Sequence, residues 1–165
     1  MKKLLILIGL FSVSFACAQN LKPNRLPFAL KVQVNSKQFY AQQISDSPYF
    51  AEIKTLQLYP DEKVFIEAVI EDANISSLIS VSENLHPEKT FVIEFCQTIV
   101  NNISTSSELY IKNPFEKKLK YNCLVYVIDS SSWEPQYYVA TSKMTTKKSW
   151  DTILGSIVIK DWILE

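Results

Sequence analysis

The sequence predicts an all-β fold, an antiparallel sandwich of about eight or nine short strands. Three observations predict it. Segments that alternate apolar and polar residues, rich in β-branched and aromatic side chains, fill most of the chain. Turn-forming clusters separate them at short intervals. No amphipathic helical pattern comes between them, as an α/β fold would need. A β-barrel is the structural alternative.

Taken in order, the chain opens on a segment of another kind. Lys2 and Lys3 are followed by an apolar run from Leu4 to Phe11, broken only by Gly9, and Ala16-Cys17-Ala18 closes it with small residues. Basic start, apolar centre and small-residue end are the layout of an export signal over residues 1–18. The apolar run is too short to span a bilayer, which takes about 20 residues. Two endings are open. Cleavage after Ala18 would give a soluble chain starting at Gln19; alternatively Cys17 is the lipid-bearing cysteine of a bacterial lipoprotein. The lipobox fit is partial, because Ala16 suits it while Ser14 and Phe15 do not. Either way the expected location is exported: periplasmic, cell-envelope or secreted.

Residues 19–27, with two prolines, read as a loose lead-in, and 28–165 as a single β-sandwich domain. Period-2 runs place strands at 28–34, 52–59, 63–71, 77–82, 90–100, 108–112, 119–129, 137–141 and 153–164. Turns fall at Tyr59-Pro60-Asp61-Glu62, Asp72-Ala73-Asn74, Leu85-His86-Pro87-Glu88-Lys89, Asn113-Pro114-Phe115-Glu116 and Ser130-Ser131-Ser132. Trp150 and Trp162 read as core, Trp162 through its alternation with Val158, Lys160 and Leu164.

The clearest local pattern runs from Leu109 to Tyr121: Leu-Tyr-Ile-Lys-Asn-Pro-Phe-Glu-Lys-Lys-Leu-Lys-Tyr. A strand ends at Asn-Pro, a charged turn follows and an apolar strand resumes. This resembles strand-turn-strand hairpins of immunoglobulin-like sandwiches in bacterial envelope and secreted proteins. The likeness covers about 20 residues and implies a fold, with no functional residues attached. The Cys-Trp-Cys arrangement of antibody domains is not reproduced.

Charge and cysteines narrow the function. The chain carries 17 basic and 17 acidic residues. Loss of residues 1–18 would remove two lysines and leave a net charge near −2. Without a basic excess, nucleic acid is not an expected partner. No second long apolar run follows the export signal, so no transmembrane segment is expected after its cleavage. Cys96 and Cys123 form a candidate disulfide for an exported chain. Strand alternation opposes it: Cys123 shares a face with Leu119, Tyr121, Val125 and Val127, whereas Cys96 lies opposite Phe91, Ile93 and Phe95.

Chemistry is sparse. Past residue 18 the only glycine is Gly155, so the glycine-clustered loops that cradle phosphates, bind dinucleotides or present a nucleophile elbow are not expected. His86 stands alone in a polar turn, and neither zinc nor calcium spacing is present, so no metal and no cofactor are expected. Glu67, Glu71 and Glu94 are strand carboxylates that could form a glycosidase pair only if the fold brought two together across a groove.

Binding is better supported. Ser132-Trp133-Glu134-Pro135-Gln136-Tyr137-Tyr138 reads as a loop whose aromatic rings could anchor a protein or stack on sugars, with Glu134 and Gln136 supplying hydrogen bonds. Lys117, Lys118 and Lys120 read as a cluster that discourages edge-to-edge strand pairing. The sequence thus predicts a non-enzymatic, exported protein-interaction module with an envelope protein as partner. A carbohydrate-binding module with a glycan ligand, using Trp133, Tyr137 and Tyr138, is the alternative. A small carbohydrate-active enzyme comes third.

Overall fold

Alternating burial of β-branched and aromatic side chains runs along nearly every long strand of the protein. A computed structural model describes residues 23–35 and 37–165. Residues 1–18, read as an export signal, lie outside the described residues, and Cys17 with them. Fourteen strands and no helix occupy them. In chain order they are β1 (Asn24–Arg25), β2 (Phe28–Gln33), β3 (Phe39–Ile44), β4 (Ser47–Pro48), β5 (Phe50–Glu52), β6 (Thr55–Leu58) and β7 (Glu62–Glu71). There follow β8 (Asn74–Val81), β9 (Thr90–Val100), β10 (Ile103–Lys112), β11 (Leu119–Val127), β12 (Ser132–Ala140), β13 (Thr145–Trp150) and β14 (Leu154–Leu164).

Ten of these form two five-stranded antiparallel sheets, ordered β13-β10-β9-β7-β8 and β12-β11-β14-β6-β5. The chain crosses between the sheets after β6, β10, β12 and β13. The Asn-Pro turn of 113–118 is one of these crossings. The residues read as a hairpin therefore form an arch: β10 and β11 never pair, and β11 lies between β12 and β14. Turn chemistry is the same for a hairpin and an arch, so the sequence pattern could not separate them.

Both sheets feed one buried cluster. Phe91, Ile93 and Phe95 of β9 and Leu109 and Ile111 of β10 contribute from the first sheet. Tyr121, Cys123 and Val125 of β11 and Ile157 and Ile159 of β14 contribute from the second. Burying such a side chain stabilises the fold by roughly 1.5–3 kcal/mol. Phe91 joins the sheets directly, its ring 5.7 Å from Trp162 and 5.3 Å from Phe115 in the arch. Trp150 and Trp162 are buried as the sequence predicts, but Trp162 gets there by another route. Asp161 takes a left-handed backbone conformation, φ 56°, and the β11–β14 register slips between Lys120 and Asn122. This bulge turns Trp162 to the side of Ile157 and Ile159, whereas plain alternation would leave it beside Val158 and Lys160.

The β2–β3 hairpin adds a smaller cluster of Leu30, Val32, Ile44, Tyr59 and Ile153. It seats against β14 at Gly155, where a Cβ would stand 3.1 Å from Tyr126 and 3.5 Å from Tyr40. A side chain at this position would press on the Tyr126 ring and on Ile128, 3.3 Å away, so one of them would have to shift.

The stretch read as a loose lead-in contains a tightly held, buried cation. Arg25 is 3% exposed. Its guanidinium donates to Glu62 Oε1 at 2.5 Å and Oε2 at 3.1 Å, to Ser47 Oγ at 3.0 Å and to the Gln57 carbonyl at 2.7 Å. The rings of Tyr49 and Tyr59 flank it, each centroid 4.9 Å away.

Candidate functional site

Residues 132–138, read as a loop, belong to β12, an edge strand paired along its whole length with β11. Pro135 is tolerated mid-strand because an edge leaves one side of the backbone without ladder bonds. The correction divides the candidate residues. Strand alternation sends Trp133 and Tyr137 outward, 46% and 55% exposed, while Tyr138 packs inward against Tyr121 and Trp150, ring centroids 6.0 and 5.9 Å away. Gln136 goes with Tyr138, accepting hydrogen bonds from its hydroxyl and from Trp150 Nε1. Burial pushes the Tyr138 hydroxyl pKa up from its ordinary value. Glu134 is exposed at the strand edge. Tyr138 and Gln136 thus brace the core margin and do not share the surface of Trp133.

Directly opposed residues on neighbouring strands share a face, so the register builds that surface rung by rung. Trp133 lies beside Tyr126, Pro135 beside Leu124 and then Val158, Tyr137 beside Asn122 and then Lys160, Val139 beside Lys120 and then Ile163. The Trp133 and Tyr126 rings are 5.3 Å apart and tilted by 52°. Tyr40 of the hairpin continues the row, 6.2 Å from Tyr126. Asn122 donates to Asp161 at 2.8 Å, and Lys120 pairs with Glu165. The result is a face of aromatic and aliphatic groups with amide and charged groups toward one end. Leu124, Tyr126, Val139, Val158 and Ile163 belong to it although the sequence reading missed them. Their period-2 alternation was legible, but which strands lie side by side was not.

The carboxylates do not converge. Glu67 pairs with Lys89 at 2.9 Å and Glu94 with Lys63 at 3.2 Å, while Glu71 is exposed at the end of β7. A lysine takes up each paired carboxylate on the first sheet's outer face. Glu108, on that face, is held below the usual carboxylate range by hydrogen bonds from Lys147 and Tyr110. His86 is about half exposed, 3.9 Å from Glu88.

Cys96 and Cys123 are free. Cys123 is buried between the sheets, and burial pushes its thiol up to about 12. Cys96 is half-buried on the first sheet's outer face, raised by burial and then by Glu108 and Glu94. The first sheet's own backbone stands between the directions in which the two thiols point.

A cleft of about 560 Å³ lies elsewhere, between the start of β2 and Tyr49, Pro60 and Glu62. Arg25 borders it, but its guanidinium is already engaged by Glu62, Ser47 and Gln57 and offers no free donor fork to an anion. The exposed rings of β12 are outside that cleft. No protein-family model matches this chain, and no curated protein or solved structure matches it.

Proposed function

We propose that this chain is an exported, non-enzymatic sandwich of the immunoglobulin-like kind, acting as a protein-interaction module of the cell envelope or secreted space. The partner docks on the outer face of β12, β11 and β14. One observation carries the reading: exposed Trp133 and Tyr137 stand with Val139 and Ile163 on one sheet face. Large amphipathic rings on a rigid platform, with polar groups toward the rim, are the composition of a protein interface centre. Two antiparallel sheets around a shared core, joined by arches, support the sandwich type. A cross-linked pull-down of the purified chain against an envelope extract of its own host tests this. The expected result is one partner in near-stoichiometric yield, lost in Trp133→Ala and kept in Lys63→Ala on the opposite sheet. A partner retained by a folded Trp133→Ala/Tyr137→Ala variant would rule out this face.

Carbohydrate binding is the second reading, favoured by the spacing of the rings. Trp133 and Tyr137 are four residues apart on one strand face, about 13 Å along it, so both could stack on one extended glycan. Retention of polysaccharide in place of protein, abolished by Trp133→Ala, would put this reading first.

A further inference from the structure

The lysines after β10 do not guard a sheet edge, because β11 is flanked on both sides. The arch is instead fastened to the turn between β12 and β13. Lys143 N–H donates to the Phe115 carbonyl and Asn113 N–H to the Met144 carbonyl, each at 3.0 Å. The Asn113 side chain shapes the arch, donating to the Lys117 carbonyl at 2.8 Å and accepting from Phe115 N–H at 3.0 Å. Two segments distant in sequence thereby meet at one end of the sandwich. Together, residues 112–120 and 141–148 carry seven lysines and a single acid, Glu116.

Some of that charge is compensated. Lys143 pairs with Glu116 at 3.3 Å, Lys147 with Glu108 at 2.7 Å, and Lys120 with Glu165. Lys148 lies over the Tyr138 ring at 5.0 Å. Lys112, Lys117 and Lys118 are exposed and have no ion-pair partner among the described residues. Beside them Met144 is 58% exposed. A local basic excess on a chain with no overall excess is a directional field.

We propose that this end of the sandwich docks on an anionic phospholipid surface, with Lys112, Lys117 and Lys118 at the headgroup phosphates and Met144 in the interfacial layer. Charge complementarity names an anionic occupant, and three further features select lipid. Among the described clefts the two turns line none, which favours a surface contact over an enclosed ligand. The one aromatic ring of the arch, Phe115, is turned inward on Phe91 and cannot stack on a sugar. An exposed flexible apolar side chain among long basic ones suits a bilayer interface, where lysine stems reach headgroups and the apolar tip leaves water.

Co-sedimentation of the purified full chain with vesicles tests the proposal, comparing phosphatidylcholine alone with a mixture holding about a third phosphatidylglycerol. Anionic vesicles are expected to bind the chain more tightly, with affinity falling as salt rises. The Lys112→Gln/Lys117→Gln/Lys118→Gln variant should lose roughly tenfold to a hundredfold of that affinity. Its thermal midpoint, which checks folding, should stay unchanged because all three side chains are exposed. Met144→Ser should weaken binding without changing the salt slope. Equal binding to both vesicle types, or full affinity in the triple variant, would overturn the proposal. So would lysine-dependent binding to an acidic polysaccharide with none to vesicles. Trp133→Ala should leave vesicle binding untouched, so this surface and the β12 face can fail separately.

Discussion

Arg25 and Glu62 are 37 residues apart, and the pair they form is buried, with four hydrogen bonds donated by the guanidinium. Removing one member leaves the other charged in a site with little water, which costs more than the pair contributes. Arg25→Ala should therefore lower stability by about 3–5 kcal/mol in urea titration, and Arg25→Met/Glu62→Gln should recover much of the loss. A double variant as unstable as the single one would mean that packing on Tyr49 and Tyr59, and not charge, is what Arg25 supplies. The thiols give a second expectation at this scale. A pKa raised to about 12 leaves Cys123 almost entirely protonated at neutral pH, and only the thiolate reacts. Alkylation near pH 8 followed by peptide mapping should label Cys96 slowly in the native protein and Cys123 only after unfolding. Protection of both thiols until a reductant is added would instead show a Cys96–Cys123 bridge. None of this was legible in the sequence for Arg25, whose type and position mark only a polar lead-in. The facing of the cysteines was, because strand alternation carries it.

At the scale of elements, the chain makes tight hairpins almost without glycine. Asp72 and Ala73 between β7 and β8 take φ of 48° and 65°, and Asn101 and Asn102 between β9 and β10 take 51° and 62°. Asp and Asn tolerate this region; Ala has no side-chain hydrogen bond to offset the clash of its Cβ. Ala73→Gly should relieve about 1–2 kcal/mol of strain while freeing the unfolded chain by somewhat less. The net expectation is a gain of about 0.5–1 kcal/mol by thermal denaturation; a loss would mean that the Ala73 methyl is packed or its conformation unstrained. Scarcity of glycine thus argues against loops that need close backbone approach, but not against left-handed turns. The same scale shows which strands alternation can announce. The strand β9 matches its expected span, and β7, β11 and β14 come close, because each buries one face in the core. The strands β3 and β13 went unread: Phe-Tyr-Ala-Gln-Gln-Ile and Thr-Thr-Lys-Lys-Ser-Trp are mostly exposed and leave no apolar rhythm. Pro135 hid the first half of β12.

For the molecule as a whole, the decisive contact is the one that couples the sheets. Phe91 is fully buried and touches a strand of the opposite sheet and the arch between them. Phe91→Ala should cost about 3–5 kcal/mol, with tryptophan fluorescence and far-ultraviolet circular dichroism still falling in one transition. Two separated transitions would show the sheets to be independent folding units. The all-β class was readable because its cause is local and repeated along the chain. Sheet membership was not, since it depends on which edges meet, and so the arch at 113–118 and the rungs across β12, β11 and β14 emerged only in three dimensions. The Arg25 contacts have a consequence under force. A tether pulling on the chain ahead of Pro23 meets the bond from Ser80 Oγ of β8 to the Pro23 carbonyl, then the two-residue β1–β4 ladder and the guanidinium. Ladder bonds can open singly, but Arg25 is gripped at once by β4, β6 and β7, the last two from opposite sheets. It acts as a rivet near one end of the chain, and a load applied there would be shared between both sheets before either one peeled.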